Sequence, residues 1–180
     1  MRQIKTSVLL VCILLSAASA RAQDARGTLN VSFAATSTLH DFEGTAGSLS
    51  VSLSQDATGP WSADVMIPVA QMKTGDDRRD ESMRSMFDAA QHPLIYGRVR
   101  GVDPERVRSS GKLPLVLQIK DVERPVEASV THWQQSESTA SFDAAFDVSL
   151  AAFQLVAPQI LFIGVGDTVH VNVHLKLERT

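Results

Sequence analysis

The stretch Thr168-Val169-His170-Val171-Asn172-Val173-His174-Leu175-Lys176-Leu177 alternates polar and apolar residues without a break. Successive side chains of a strand point to opposite faces. Val169, Val171, Val173, Leu175 and Leu177 therefore share one face, and His170, Asn172, His174 and Lys176 share the other. Strict alternation of this length, rich in β-branched residues, describes a strand with one dry and one wet face. The same pattern recurs toward the N-terminus. Leu29, Val31 and Phe33 form one apolar row, and Leu49, Val51 and Leu53 another. Val65, Ile67 and Val69 follow, then a weaker pair at Ile95 and Val99. Leu113, Leu115, Leu117 and Ile119 make the next row. Val126, Ala128 and Val130 precede Phe142, Ala144, Phe146 and Val148. With residues 168–177 this makes eight short amphipathic strands. Turn signals separate several of them, among them Gly59-Pro60, Ser109-Ser110-Gly111, Gln135-Ser136-Glu137-Ser138 and Gly164-Val165-Gly166-Asp167. Regular short strands with brief turns predict an up-and-down barrel or a sandwich.

Two segments break the rhythm. In Asp76–Ala90, Met83, Met86 and Phe87 are spaced three and four apart, so they fall on one face of a helix. Asp76 and Asp77 supply the negative charge that a helix start favours. His92-Pro93 ends the segment, because a residue before proline avoids the helical region. A helix in an all-β chain must dock against the barrel or cover one of its ends. The second break, Leu150–Ile163, is too apolar for an ordinary connection, so it must be buried or flank an apolar cavity.

The first residues read differently. Arg2 and Lys5 precede an apolar run from Val8 to Leu15, and small residues follow it. This is the three-part pattern of a secretory signal, expected to be cleaved after Ala22. The run is shorter than the ~20 residues a spanning helix needs. Cys12 does not fit lipid attachment, since Val11 precedes it and the apolar run continues past it. Residues 23–180 then form one domain, and the only cysteine lies outside it. That domain has no disulfide, thiolate ligand or cysteine nucleophile. Loss of Arg2, Lys5 and Arg21 moves the formal net charge from −3 to −6. A net-negative domain without a basic patch does not suggest a nucleic-acid partner.

Chemistry is sparse. On one strand, His170 and His174 stand ~13 Å apart, too far to share a metal ion. There is no Gly-x-Ser-x-Gly elbow, phosphate loop or dinucleotide fingerprint. Carboxylate pairs such as Asp76 with Asp80 suit a helix start better than an acid–base couple. No enzyme, metal site, catalytic residue or cofactor is expected. Arg79, Asp80 and Arg84 read in two ways: as a solvated helix face, or as a place where an arginine meets the polar head of an amphiphile.

Several stretches together resemble the YceI-like family of lipid-binding, lipocalin-like barrels. They are Ser37-Thr38-Leu39-His40-Asp41-Phe42-Glu43-Gly44, Met66-Ile67-Pro68-Val69 leading to Arg79-Asp80-Glu81-Ser82-Met83-Arg84, and His92-Pro93-Leu94-Ile95. Gly111-Lys112-Leu113 through Arg124-Pro125-Val126 and Gly164 through Val171 complete the set. Ser82 stands where the common pattern has histidine, and the Val116–Arg124 turn lacks its glycine. The resemblance implies an eight-stranded antiparallel lipocalin-like β-barrel with one or two short capping helices. It also implies a periplasmic location and a long isoprenoid or similar amphiphile as ligand.

In an eight-stranded barrel the interior holds either packed side chains or one small ligand. Ala128 and Ala144 leave room, while Phe33, Phe142 and Phe146 fill it. Both outcomes remain open from sequence. The residues expected to line the interior are Phe33, Leu49, Val51, Val65, Ile67, Leu115, Leu117, Phe142 and Phe146. Phe153, Leu161 and Phe162 are expected near an end, with Arg79 and Met83 contributed by the helix. The expected function is periplasmic binding or carriage of an isoprenoid lipid, quinone or fatty acid derivative. The alternative is a non-enzymatic structural or stress-related interaction module with a filled barrel. Beyond the amphiphile, the partners considered are a membrane surface in passing and a second copy of the chain.

Overall fold

The computed structural model describes residues 23–37, 41–55, 59–157 and 164–179. Eight antiparallel strands close into a barrel in simple sequential order. They are β1 (Gln23–Ser37), β2 (Phe42–Gln55), β3 (Trp61–Pro68), β4 (Leu94–Val102), β5 (Lys112–Ile119), β6 (Val122–Gln135), β7 (Thr139–Ser149) and β8 (Val165–Arg179). Closure comes from β1, which pairs with both β2 and β8. Leu29 lies between Leu49 on one side and Leu175 on the other, and Leu175 in turn faces Phe142 of β7. The rows read from sequence thus meet around one interior. Each expected strand is present, with β1, β2, β6 and β8 running well beyond their alternating cores.

Two β-bulges keep the alternation pointed inward where the chain would lose phase. On β2, Gly44 and Ala46 are buried, and so are Leu49, Val51 and Leu53. The switch from even to odd positions occurs at Gly47, whose φ of 77° suits a residue without a Cβ. Gly44 has a different reason. A Cβ there would lie 2.3 Å from Cζ of Phe33, so the glycine lets the Phe33 ring lie across β2. On β6, Ala128 and Val130 point inward, and strict alternation would send His132 after them. Instead His132 takes a left-handed conformation with φ of 52° at a register shift. That turns His132 out and brings Trp133 in.

Helix α1 (Asp77–Phe87) begins one residue after the expected start. The Asp76 side chain caps it, accepting from the Arg79 backbone N–H at 2.9 Å. That bond is the main reason the Asp76 carboxyl titrates below its ordinary range. The helix stops at Asp88, which adopts φ of 50°, so Ala89 and Ala90 belong to a turn. A second helix, α2 (Pro104–Ser110), occupies a segment whose Ser109-Ser110-Gly111 end reads as a turn. Asp103 caps it through the Glu105 N–H, Pro104 sits in the first turn, and Gly111 closes it with φ of 66°.

The apolar segment after β7 is buried in part. A 3₁₀ turn at Ala151–Phe153 puts Leu150, Phe153 and Leu155 in the core, while Val156 is exposed. Asp167 at the start of β8 anchors it. Its carboxylate accepts from Ser149 Oγ at 2.6 Å and from Ala151 N at 2.7 Å. The hydroxyl bond is the leading cause of its lowered pKa. Leu161 and Phe162 lie outside the described residues.

Candidate functional site: a two-chambered apolar interior

The barrel is hollow in two places. A cavity of about 150 Å³ lies at the α1 end, walled by Phe33, Phe42, Met72 and Ile119 and covered by Met83, Met86 and Phe87. A second of about 160 Å³ lies at the α2 end, walled by Val51, Val65, Leu115, Trp61, Trp133 and Phe142, with Pro104 and Val107 of α2 against it. Five residues line both: Val31, Ile67, Leu117, Phe146 and Val171. They come from β1, β3, β5, β7 and β8 and form a waist between the chambers. Ile67, Phe146 and Val171 are only half-buried although they point inward, because what they face is empty space.

The emptiness has a simple origin. Ala63, Gly97, Ala128 and Ala144 lie along the wall of the α2-end chamber, and Ala35, Ala46 and Ala157 along the other. Small side chains facing one another across a barrel cannot meet. The aromatic residues crowd the waist and the walls instead, and Trp133 stacks on Phe142 with centroids 5.0 Å apart.

Charged groups in the lining are confined to the α1 end. Arg79 lines that chamber with its guanidinium carbon 4.6 Å from the centroid of the Phe42 ring. Arg84 pairs with Glu81 at 2.8 Å, whereas no described carboxylate forms a salt bridge with Arg79. A cation over an aromatic face keeps its charge available to a second partner. Ser82 also lines this chamber, and its hydroxyl donates to the Arg78 carbonyl at 3.0 Å.

The Arg79-Asp80-Arg84 trio is therefore not one solvated face. Asp80 is 1% exposed, and its carboxylate accepts from Thr74 Oγ1 at 2.7 Å and Thr74 N at 2.8 Å. Lys73 Nζ lies 3.4 Å away. The Thr74 hydroxyl, then the Thr74 N–H and Lys73, hold the Asp80 carboxyl below its ordinary value against the effect of burial. Lys73 pairs in turn with Thr45 of β2 through two backbone bonds of 2.8 Å. This chain of contacts fastens the start of α1 to the barrel wall and so sets where Arg79 and Met83 stand.

Ten of the fourteen residues expected at the site line a chamber: Phe33, Val51, Val65, Ile67, Arg79, Met83, Leu115, Leu117, Phe142 and Phe146. Leu49 and Phe153 are buried in the core and line neither chamber. Leu161 and Phe162 lie outside the described residues. Trp133 was hidden by the bulge at His132. Trp61 was hidden by its position next to the Gly59-Pro60 turn, before the alternation is established.

His132, His170 and His174 are on the outside. His132 and His174 share the Asp143 carboxylate through Nδ1 atoms at 2.8 and 2.6 Å, which lowers the Asp143 pKa, His174 contributing most. His170 pairs with Asp147 at 2.6 Å. Among the described residues no group of three or more histidine or acidic side chains is placed to hold a metal ion.

Comparison with known proteins agrees with this architecture. No curated protein matches the sequence. Among solved structures, BcnA of Burkholderia cenocepacia is similar at a TM-score of 0.68 and 24% identity, over 82% of this chain and 95% of that one. A polyisoprenoid-binding domain from Saccharophagus degradans, implicated in plant cell wall breakdown, superposes at 0.65 with 16% identity, covering 86% and 98%. The YceI protein of Campylobacter jejuni matches at 0.52 and 15% identity, covering 71% and 78%. These likenesses are of fold. The model of the YceI-like domain matches residues 18–177, nearly the whole chain, and the chain belongs to the YceI-like family.

Proposed function

We propose that this protein carries or sequesters an apolar amphiphile in its barrel: an isoprenoid-type lipid, a quinone or a fatty acid derivative. The observation that carries the reading is the interior itself, two apolar chambers sharing a waist, with the Arg79 guanidinium over Phe42 at one end. A hydrocarbon tail threads both chambers and the polar head meets Arg79. Each buried methylene contributes ~0.8 kcal/mol, so a tail of ten carbons supplies ~8 kcal/mol, the scale of micromolar binding before ordering costs. Membership of the YceI-like family and the polyisoprenoid-binding character of the S. degradans domain support this ligand class. No chemistry on the ligand is proposed. The signal-like residues 1–22 support a periplasmic setting, where a carrier of this kind touches a membrane to load or unload. A filled-barrel interaction module would need side chains to close the interior, and the two chambers count against it.

Native mass spectrometry of protein purified without detergent tests the reading. The expected result is a discrete adduct that solvent extraction releases as an isoprenoid or acyl species. A bare protein mass, unchanged after incubation with a membrane lipid extract, would overturn it.

A further inference from the structure

The two chambers set a measure of length. Their volumes, about 150 and 160 Å³, each match the ~150 Å³ apolar cavity known to take benzene, a molecule of six carbons. Filled in series through the shared waist, they hold about twelve carbons. Distance gives the same figure independently. On β1 the lining side chains run from Leu29 in the α2-end chamber to Ala35 in the α1-end chamber. Those six residues advance ~20 Å at ~3.3 Å each, or ~15 Å along the barrel axis at a strand tilt of ~40°. An extended hydrocarbon with bonds of ~1.5 Å advances ~1.25 Å per carbon, so about twelve carbons span that distance. Helix α2 stands across the far end. Its Pro104 and Val107 line the α2-end chamber, and the Gly111 carbonyl at its C-terminus accepts from the Val130 N–H of β6 at 2.7 Å. No charged side chain lines that chamber, so a charged head has its place at the other end, by Arg79.

Deepening the reading of the barrel as an amphiphile carrier, on which it rests, we propose that the interior is a length gauge: it selects amphiphiles whose tail has about ten to fourteen carbons, with the head at Arg79 and the tail's end against α2. That class takes in medium-chain acyl groups and chains of about two or three isoprene units. A shorter tail leaves the α2-end chamber unfilled and forgoes the burial it offers. A longer tail has no further space beyond α2, so its extra carbons stay in water at the α1 end and add no affinity. Ala144 helps to set the limit. It is 5% exposed and lines the α2-end chamber, so a larger side chain there takes the space of the last tail carbons.

The test titrates straight-chain carboxylates, from hexanoate through octadecanoate, into the protein by calorimetry at concentrations below micelle formation. Affinity should rise about fourfold per added methylene as far as dodecanoate or tetradecanoate and then level off. Both tryptophans of the chain, Trp61 and Trp133, line the α2-end chamber, so their emission reports its filling. Saturating hexanoate should leave the emission unchanged, and dodecanoate should shift it. Ala144→Leu adds carbons to the wall and should bring the plateau about three carbons earlier, with hexanoate binding unchanged. If Ala144→Leu does not fold, the series in the unsubstituted protein decides alone. Affinity that climbs steadily through octadecanoate, or an equal emission change from hexanoate and dodecanoate, would overturn the gauge while leaving apolar carriage intact. So would a plateau that a folded Ala144→Leu leaves in place, or an extracted natural lipid with a tail longer than octadecyl. Failure to bind any of the carboxylates or any membrane lipid would remove carriage and gauge together.

Discussion

Asp80 is the residue on which the site's geometry turns. Arg79 and Asp80 are adjacent, but a helix rotates each residue by about 100° from the last. One therefore lines the chamber while the other is buried against Thr74. Asp80→Ala leaves the Thr74 donors without their acceptor and should cost about 2–3 kcal/mol in urea unfolding. The pH dependence has a definite sign. The carboxyl is held below its ordinary value of 3.8, so it stabilises the fold above that value and the contribution is lost as pH falls through the lower, folded-state value. The stability gap between the unsubstituted protein and Asp80→Ala should hold from neutral pH down to about pH 5 and close below about pH 4. A gap that widened on acidification would refute the role given to Thr74. At the same scale, Arg79 was recognisable as a candidate from its residue type, whereas the burial of Asp80 was not. Nothing in the local sequence announces that Thr74, six residues earlier, folds back to meet it.

At the scale of elements, strands were legible and their irregularities were not. Alternation in 168–177 fixes the inward row of β8, because a straight strand preserves phase from end to end. The rule fails at a bulge. Extrapolating from Ala128 and Val130 sends His132 inward, whereas its left-handed backbone brings in Trp133 instead. Histidine tolerates that conformation better than most residues, and a β-branched side chain tolerates it badly. His132→Val should lower stability by about 1 kcal/mol and shift tryptophan emission to the red as Trp133 leaves Phe142. His132→Gly should leave the emission unchanged. Helix α2 escaped for another reason. Seven residues with Val107 as the buried contact carry no periodicity, although Asp103, Pro104 and Gly111 mark its ends by capping chemistry alone.

The choice between a filled and a hollow barrel belongs to the molecule as a whole. Ala63, Gly97, Ala128 and Ala144 sit on four different strands and become neighbours of one space only when the sheet closes. No window of sequence contains that sum. Phe146, at the waist, reports on it directly. In a packed core, replacing it by tryptophan would cost ~1–3 kcal/mol through overpacking. With a chamber on each side, Phe146→Trp should cost about 1 kcal/mol or less by chemical denaturation, while the lipid recovered by extraction falls because the passage is blocked. A large stability loss with unchanged lipid content would argue against the waist. The same empty spaces govern how the protein responds to compression. Unfolding eliminates internal voids, so the volume change of unfolding grows more negative with the space enclosed, up to roughly −100 mL/mol. Hydrostatic pressure should therefore unfold the unoccupied barrel readily. A molecule seated in both chambers replaces the voids with matter, and should raise the midpoint pressure more than its effect on thermal stability would suggest.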